Sequence, residues 1–282
     1  MRRLGVALGG GGSRGVAHIG VMRALHEAGI RVHAVAGISA GALMAAGYCL
    51  NGPGDALDAA LNRPAAILAL YRDRLRLAAS NTIGRLLAEM AGDARIEDCT
   101  PALAICAADV HTREPIALRE GPVLRALQAT IAIPFIGDPV EIDGRYLADC
   151  GRDSYIMRQA LREMGADVIL EVSLFPQAQS GAPRPVALLG QALVRRLERQ
   201  PARPPRGRDL LRFAVDLAIR TPPPVPPADL LIVPRLPVIP SLARHGLQRA
   251  RRAGYAAMRA ALPQLQALLS APATPALATA EA

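Results

Sequence analysis

Apolar residues open the chain as a short continuous run, Leu4 to Leu8, and Val16, Ile19, Gly20, Met22, Arg23, Leu25 and His26 then show helical spacing up to Gly29. The first pattern predicts a buried strand and the second a helix, with Gly9 to Gly15 between them. Val32 to Ala36 reads as a second strand and Ala40 to Leu50 as a second helix. Strand, glycine loop, helix, strand, tight turn and helix is the opening of a layered α/β fold with parallel strands.

Further along, Leu103 to Ala108 and Val168 to Leu174 read as strands, and Pro122 to Gln128 and Ile156 to Met164 as helices. Asp55 to about Met90 is amphipathic and helical, with Arg72, Arg74 and Arg76 along it, and suits either a lid or ordinary crossover helices. Proline-rich stretches, Pro201 to Arg208 and Thr221 to Pro227, flank a helix near Leu210 to Ile219. Leu230 to Val233 is a further strand, and Ser241 to Leu269 a basic amphipathic helix. These shifts divide the chain into a core at 1–175, a Pro/Arg-rich helical insertion at 176–227, a completing strand and basic helix at 228–270, and a disordered tail at 271–282.

Composition narrows the class. A 282-residue chain with 51% hydrophobic and 3% aromatic residues builds an Ala, Leu, Val and Ile core. The net charge of +9 is carried by arginine alone, concentrated at Arg195, Arg196, Arg199, Arg203, Arg206, Arg208, Arg244, Arg249, Arg251 and Arg252. Such a distribution suits either a plainly solvated basic face or one that attracts anionic head groups. No nucleic acid is expected, since stacking aromatics and any reader motif are missing. Cys49, Cys99, Cys106 and Cys150 show neither metal spacing nor a disulfide framework, so neither metal nor cofactor is expected. The membrane-length apolar run from Val32 to Leu50 is broken by glycines and Ser39 and suits strand, turn and helix better than a span. With free thiols and an opening too short and glycine-rich for a signal sequence, a cytoplasmic protein with peripheral contact at the inner face of the membrane is expected.

The glycine loop admits three readings. Gly10-x-Gly12-x-x-Gly15 satisfies the dinucleotide fingerprint, yet the second strand ends in Gly37-Ile38-Ser39 where a ribose-binding acid would stand. A phosphate loop fails for want of lysine. In the third reading, backbone amides at a helix N-terminus cradle an oxyanion formed during reaction. Gly37-Ile38-Ser39-Ala40-Gly41 favours it, because small residues two positions either side of a serine permit a strand-to-helix elbow that pushes the hydroxyl outward. For a base, Ser39, Asp149 and His245 stand in α/β-hydrolase order, although this elbow comes too early for that fold; His18, His26 and His33 read as filler.

Four motifs in order, Gly10-Gly11-Gly12-Ser13-Arg14-Gly15, Gly37-Ile38-Ser39-Ala40-Gly41, Ala129-Thr130-Ile131-Ala132-Ile133-Pro134 and Asp143 to Gly151, resemble the patatin-like phospholipases, especially bacterial members related to neuropathy target esterase. The resemblance covers about residues 4–174 and resumes at Ile232-Val233-Pro234 and Gly254-Tyr255. It implies a three-layer α/β fold with a mainly parallel central sheet flanked by helices. It also implies a serine acyl hydrolase of phospholipid or lysophospholipid esters. Ser39 would be nucleophile, Asp149 base, Gly10, Gly11, Gly12 and Arg14 the oxyanion hole, and Gly37 and Gly41 the elbow, with no metal.

Two departures stand out. Asp149-Cys150-Gly151 replaces the family's Asp-Gly-Gly or Asp-Gly-Ala, and Ser154-Tyr155-Ile156-Met157 replaces a familiar Asn-Asn-x-Pro. They motivate an alternative: an interaction protein of weak or no turnover that keeps this fold at anionic membrane surfaces. Asp143-Gly144 is a second acid-glycine pair that competes with Asp149 as the base.

Overall fold

The computed structural model describes residues 2–52, 81–151, 154–175, 203–219, 223, 225–236 and 244–272. Strand β1 (Leu4–Leu8) runs into the glycine loop and helix α1 (Val16–Glu27), and β2 (Val32–Ile38) turns directly into α2 (Ala40–Asn51). After α3 (Asn81–Ala91) come β3 (Ala102–Asp109), β4 (Pro115–Leu118), α4 (Val123–Thr130), β5 (Val140–Ile142) and β6 (Arg145–Ala148). Helix α5 (Ser154–Glu163) leads into β7 (Val168–Val172), followed by α6 (Gly207–Ile219), β8 (Leu230–Ile232) and α7 (Arg244–Ser270).

The described strands form one sheet in the order β5-β6-β3-β2-β1-β7-β8, with β4 also paired to β3. β3, β2, β1, β7 and β8 run parallel, and β4, β5 and β6 add an antiparallel end. Parallel strands covered on both faces have no need of polar alternation, which is why β1 reads as an unbroken apolar run and β7 as one interrupted only by the buried, ion-paired Glu171.

The two faces differ in size. Leu4, Val6, Leu8, Leu103, Ile105 and Leu170 pack against α1, α2 and α7. Ala7, Ala34, Ala36, Ala104, Cys106 and Ala108 line the opposite face, against α5 and Phe213 of α6. Large side chains fill the gap to three helices on one side, while alanines let α5 lie close on the other, giving three layers.

Helices α1 and α7 touch backbone to backbone: a Cβ on Gly20 would strike the Arg251 carbonyl, and one on Gly254 the Ala17 carbonyl. The Tyr255 hydroxyl beside this crossing donates to Glu27 Oε2 at 2.6 Å. The C-terminal helix is thereby docked on the first one.

Several expectations change in detail. The antiparallel strands β4, β5 and β6 had no counterpart in the periodicity. The run from Val32 to Leu50 divides at Ser39 into strand and helix, and among the described residues no helix is long and apolar enough to cross a membrane. The expected helical stretch from Asp55 falls outside the described residues up to residue 80, and α3 is its described remainder. Most of the expected insertion, residues 176–202, and nearly all of the tail also lie outside them.

Candidate active site

The site is assembled where β2 meets α2. Ser39 has φ 52° and ψ −123°, a positive φ that a residue with a side chain adopts only under constraint. Gly37 and Gly41 show why the turn is so tight. A Cβ on Gly37 would lie 2.6 Å from the Ala42 nitrogen, and one on Gly41 would strike the Leu8 carbonyl. From residue 34 to residue 49 every side chain is buried except that of Ser39. The elbow therefore lifts one hydroxyl out of an otherwise closed core.

A buried side chain holds that turn. The Ser39 amide donates to Thr130 Oγ1 at 2.8 Å, and the Thr130 hydroxyl donates to the Cys106 carbonyl on β3 at 2.6 Å. Thr130 is wholly buried at the end of α4, in the third motif of the sequence. Sequence reasoning quoted this residue without assigning it a task, since its partners lie far away in the chain.

Asp149 follows β6 and is 6% exposed. Its amide donates to the Ala132 carbonyl at 3.0 Å, and its Oδ1 accepts from the Gly151 amide at 2.7 Å. The Ser39 side chain lies close enough to the carboxyl to affect its titration. Burial raises the carboxyl from 3.8 to about 6, and the Gly151 amide and Ser39 hydroxyl hold it from rising further by favouring the charged form. Positive φ at Gly151 closes the turn behind the carboxylate.

The glycine loop completes the assembly. A Cβ on Gly10 would lie 3.5 Å from Ser39 Cβ and 3.4 Å from the Gly151 carbonyl oxygen, so loop, elbow and aspartate turn meet at one point. The Gly9 amide donates to the Val172 carbonyl at 3.0 Å and the Arg14 amide to the Gly11 carbonyl at 3.2 Å. Among the described residues the amides of Gly10, Gly11 and Gly12 have no backbone acceptor. Arg14 spends its amide within the turn, and its guanidinium stands 5.1 Å over the Phe175 ring. It braces the loop rather than adding a free amide.

His18 lies under this loop, fully buried, with Nε2 2.8 Å from the Gly9 carbonyl oxygen. Burial lowers its pKa to about 4, against the opposing pull of that carbonyl, so the ring is neutral at pH 7. Reading His18 as filler overlooked this bond.

Other sequence candidates stand elsewhere. Asp143 and Gly144, with φ 50° and 74°, form the exposed two-residue turn of the β5–β6 hairpin. His26 is exposed on α1, and His33 Nε2 bonds the Met164 carbonyl at 3.0 Å. The side chain of His245 lies outside the described residues. Burial pushes the Cys106 thiol up to about 12, and Cys150 is buried beside the aspartate. In place of the family's asparagines, Ser154 Oγ accepts from Arg158 Nη1 at 3.0 Å, which also pairs with the buried Glu171 at 2.6 Å. Of the C-terminal arginines, Arg203 is paired with Asp209 at 3.0 Å, and Arg195, Arg196 and Arg199 lie outside the described residues. Among the described residues no three His, Cys, Asp or Glu side chains are grouped to share a metal ion.

A three-layer α/β core with a serine on a strand-to-helix elbow, faced by a buried carboxylate and a glycine loop, defines a class of protein to which known families can be compared. The profile of the patatin-like phospholipases matches residues 6–161, more than half of the chain, and the chain belongs to that family. It is 32% identical over 279 residues to an uncharacterized NTE family protein of Mycobacterium tuberculosis, covering 93% of this chain and 46% of that protein. It is 30% identical over 181 residues to the lysophospholipase nte1 of Aspergillus fumigatus, covering 61% of this chain and 12% of that protein. The chain thus spans less than half the length of these curated relatives. Among solved structures, VipD from Legionella pneumophila aligns with TM-score 0.44 and 13% identity over 93% of this chain and 67% of that one. Human GIVD cytosolic phospholipase A2, in complex with a fluorophosphonate inhibitor, aligns with TM-score 0.44 and 14% identity over 95% and 59%.

Proposed function

We propose that the protein is a serine acyl hydrolase that cleaves phospholipid or lysophospholipid esters through a Ser39-Asp149 dyad. The observation that carries the reading is the proximity of Ser39, the one residue of the elbow that is not buried, to a buried carboxylate whose pKa is raised to about 6. A carboxylate of ordinary pKa is a poor acceptor for a serine proton, and one raised by burial is a better one while still ionised at pH 7.

Ser39 Oγ attacks the ester carbonyl carbon as its proton passes to Asp149. The carbonyl oxygen becomes an oxyanion held by the amides of Gly10, Gly11 and Gly12. Donors of this kind contribute about 3 to 4 kcal/mol each in comparable sites. Collapse breaks the ester bond, and the leaving alcohol takes the proton from Asp149. Water then attacks the acyl-serine, Asp149 again accepts the proton, and the fatty acid departs as Ser39 regains it.

Support for a lipid substrate comes from the rim. Ile133 and Phe135 are exposed, Phe135 to 62%, on the loop whose Ala132 carbonyl receives the Asp149 amide. Leu211 and Val215 are exposed on α6, whose Leu217 approaches Gly151. Exposed apolar groups on segments that also reach Asp149 and Gly151 suit an acyl chain. Peripheral contact with anionic bilayers belongs to the same proposal, through exposed arginines such as Arg206, Arg208, Arg249 and Arg252.

Fatty-acid release from lysophosphatidylcholine micelles and phosphatidylglycerol vesicles tests the reading. Wild type should release acid from at least one, and Ser39→Ala should release none. Wild-type protein inert on both, or equal release by the variant, contradicts it, the former in favour of an interaction protein.

A further inference from the structure

His18 offers a donor whose effect reaches the reacting centre through one peptide bond. A carbonyl only accepts, so the bond at 2.8 Å to the Gly9 oxygen requires the proton on Nε2 and leaves Nδ1 as an acceptor. Nδ1 is buried and, among the described residues, has no partner. An aliphatic side chain would fill this space without an unmatched nitrogen, so packing alone does not account for an imidazole.

The Gly9–Gly10 peptide does account for it. Peptide units are planar and trans, so their C=O and N–H groups point in opposite directions. Once the Gly9 carbonyl is held by His18, the Gly10 N–H is directed away from the buried ring. That N–H is the first amide of the loop without a backbone acceptor among the described residues, and Gly10 lies against Ser39 and Gly151. Glycines on both sides would otherwise let this peptide rotate with little resistance. The Gly9 amide, bonded to Val172, anchors the preceding peptide but leaves this one free to turn.

We propose that His18 is a positioning residue that locks the Gly9–Gly10 peptide so that the Gly10 N–H is presented to the oxyanion formed at Ser39. The proposal rests on the hydrolase reading of Ser39.

Three substitutions separate donor, shape and fold. His18→Gln carries an amide nitrogen near the place of Nε2, His18→Asn carries one near the place of Nδ1 and falls short of Gly9, and His18→Leu fills space with no donor. Ester turnover and thermal midpoints are compared with wild type, and crystals of wild type and His18→Leu report the peptide orientation. His18→Gln should stay within a few-fold of wild type, while Asn and Leu should lose about 10- to 100-fold in kcat with KM changed less than about twofold, as for a misplaced oxyanion donor. Wild-type kcat in His18→Leu overturns the proposal. So do kcat losses that track the thermal midpoint across all three variants, Gln included, or a Gly9–Gly10 peptide that keeps its wild-type orientation in His18→Leu crystals. If wild type does not react with a fluorophosphonate at Ser39, the hydrolase reading falls and the catalytic role of His18 with it. The crystals then still decide whether His18 sets the peptide.

Discussion

The Ser39 amide donates to Thr130 Oγ1 at 2.8 Å, which ties the strained elbow to a side chain from the end of a different helix. The threonine hydroxyl is itself oriented by donation to the Cys106 carbonyl. Thr130→Val keeps the shape and removes both bonds, leaving a buried N–H and a buried C=O unmatched. It should cost about 2 to 4 kcal/mol of stability and lower kcat at least tenfold, whereas Thr130→Ser should keep most of both. Urea denaturation and ester turnover on the same preparations check this.

Activity should depend on pH through Asp149. The base acts only when ionised, and burial puts its pKa at about 6. kcat/KM should therefore rise with pH, with an acid limb centred near 6, and flatten above about 7. A limb centred near 4 would mean that the carboxylate in use is not buried.

The same shift makes the site unfavourable for folding. The folded protein binds the Asp149 proton more tightly than the unfolded chain, so stability from this group falls as pH rises from 3.8 to about 6 and stays low above it. At about 1.4 kcal/mol per unit, the penalty is roughly 3 kcal/mol at neutral pH. Asp149→Asn should be inactive yet more stable than wild type, by about 1 to 3 kcal/mol at pH 8. The gain should vanish below about pH 4, where the aspartate is protonated in both states. Thermal unfolding at pH 4 and pH 8 measures it.

Phe135 should matter to long acyl chains and little else. Its ring is largely exposed on the rim of the site, so Phe135→Ser should leave the thermal midpoint unchanged. Losing roughly 1 to 2 kcal/mol of apolar contact should lower kcat/KM for long-chain esters about tenfold and leave acetate esters unaffected. Equal losses on both would place the effect at the reacting centre instead.

The first half of the site was legible because it is local. β1, the glycine loop, α1, β2, the elbow and α2 follow one another in the chain, and Gly37 and Gly41 advertise the close approach that their structure shows. Chain order offered Asp149 as an acid following Ser39, but only the family resemblance gave it the role of base without a histidine. Nothing beside it distinguishes it from Asp143, and what does, burial and the bond from its amide to Ala132, is tertiary. Asp143-Gly144 carried a signal of its own, that of a two-residue hairpin turn, and would have announced β5 and β6. Those strands are three and four residues long, too short for a period to emerge. Thr130 and His18 escaped notice for a common reason: each acts on a backbone group of a different element, and side-chain type alone does not reveal such a partner.

The central claim is that Ser39 is a nucleophile activated by Asp149, and its most direct measurement is reaction with a fluorophosphonate, located by peptide mass spectrometry. Wild type should take up one phosphonyl group on Ser39, Ser39→Ala none, and Asp149→Asn should react at least 100-fold more slowly while remaining folded. No adduct on wild-type Ser39, or an Asp149→Asn rate equal to that of wild type, would contradict the account.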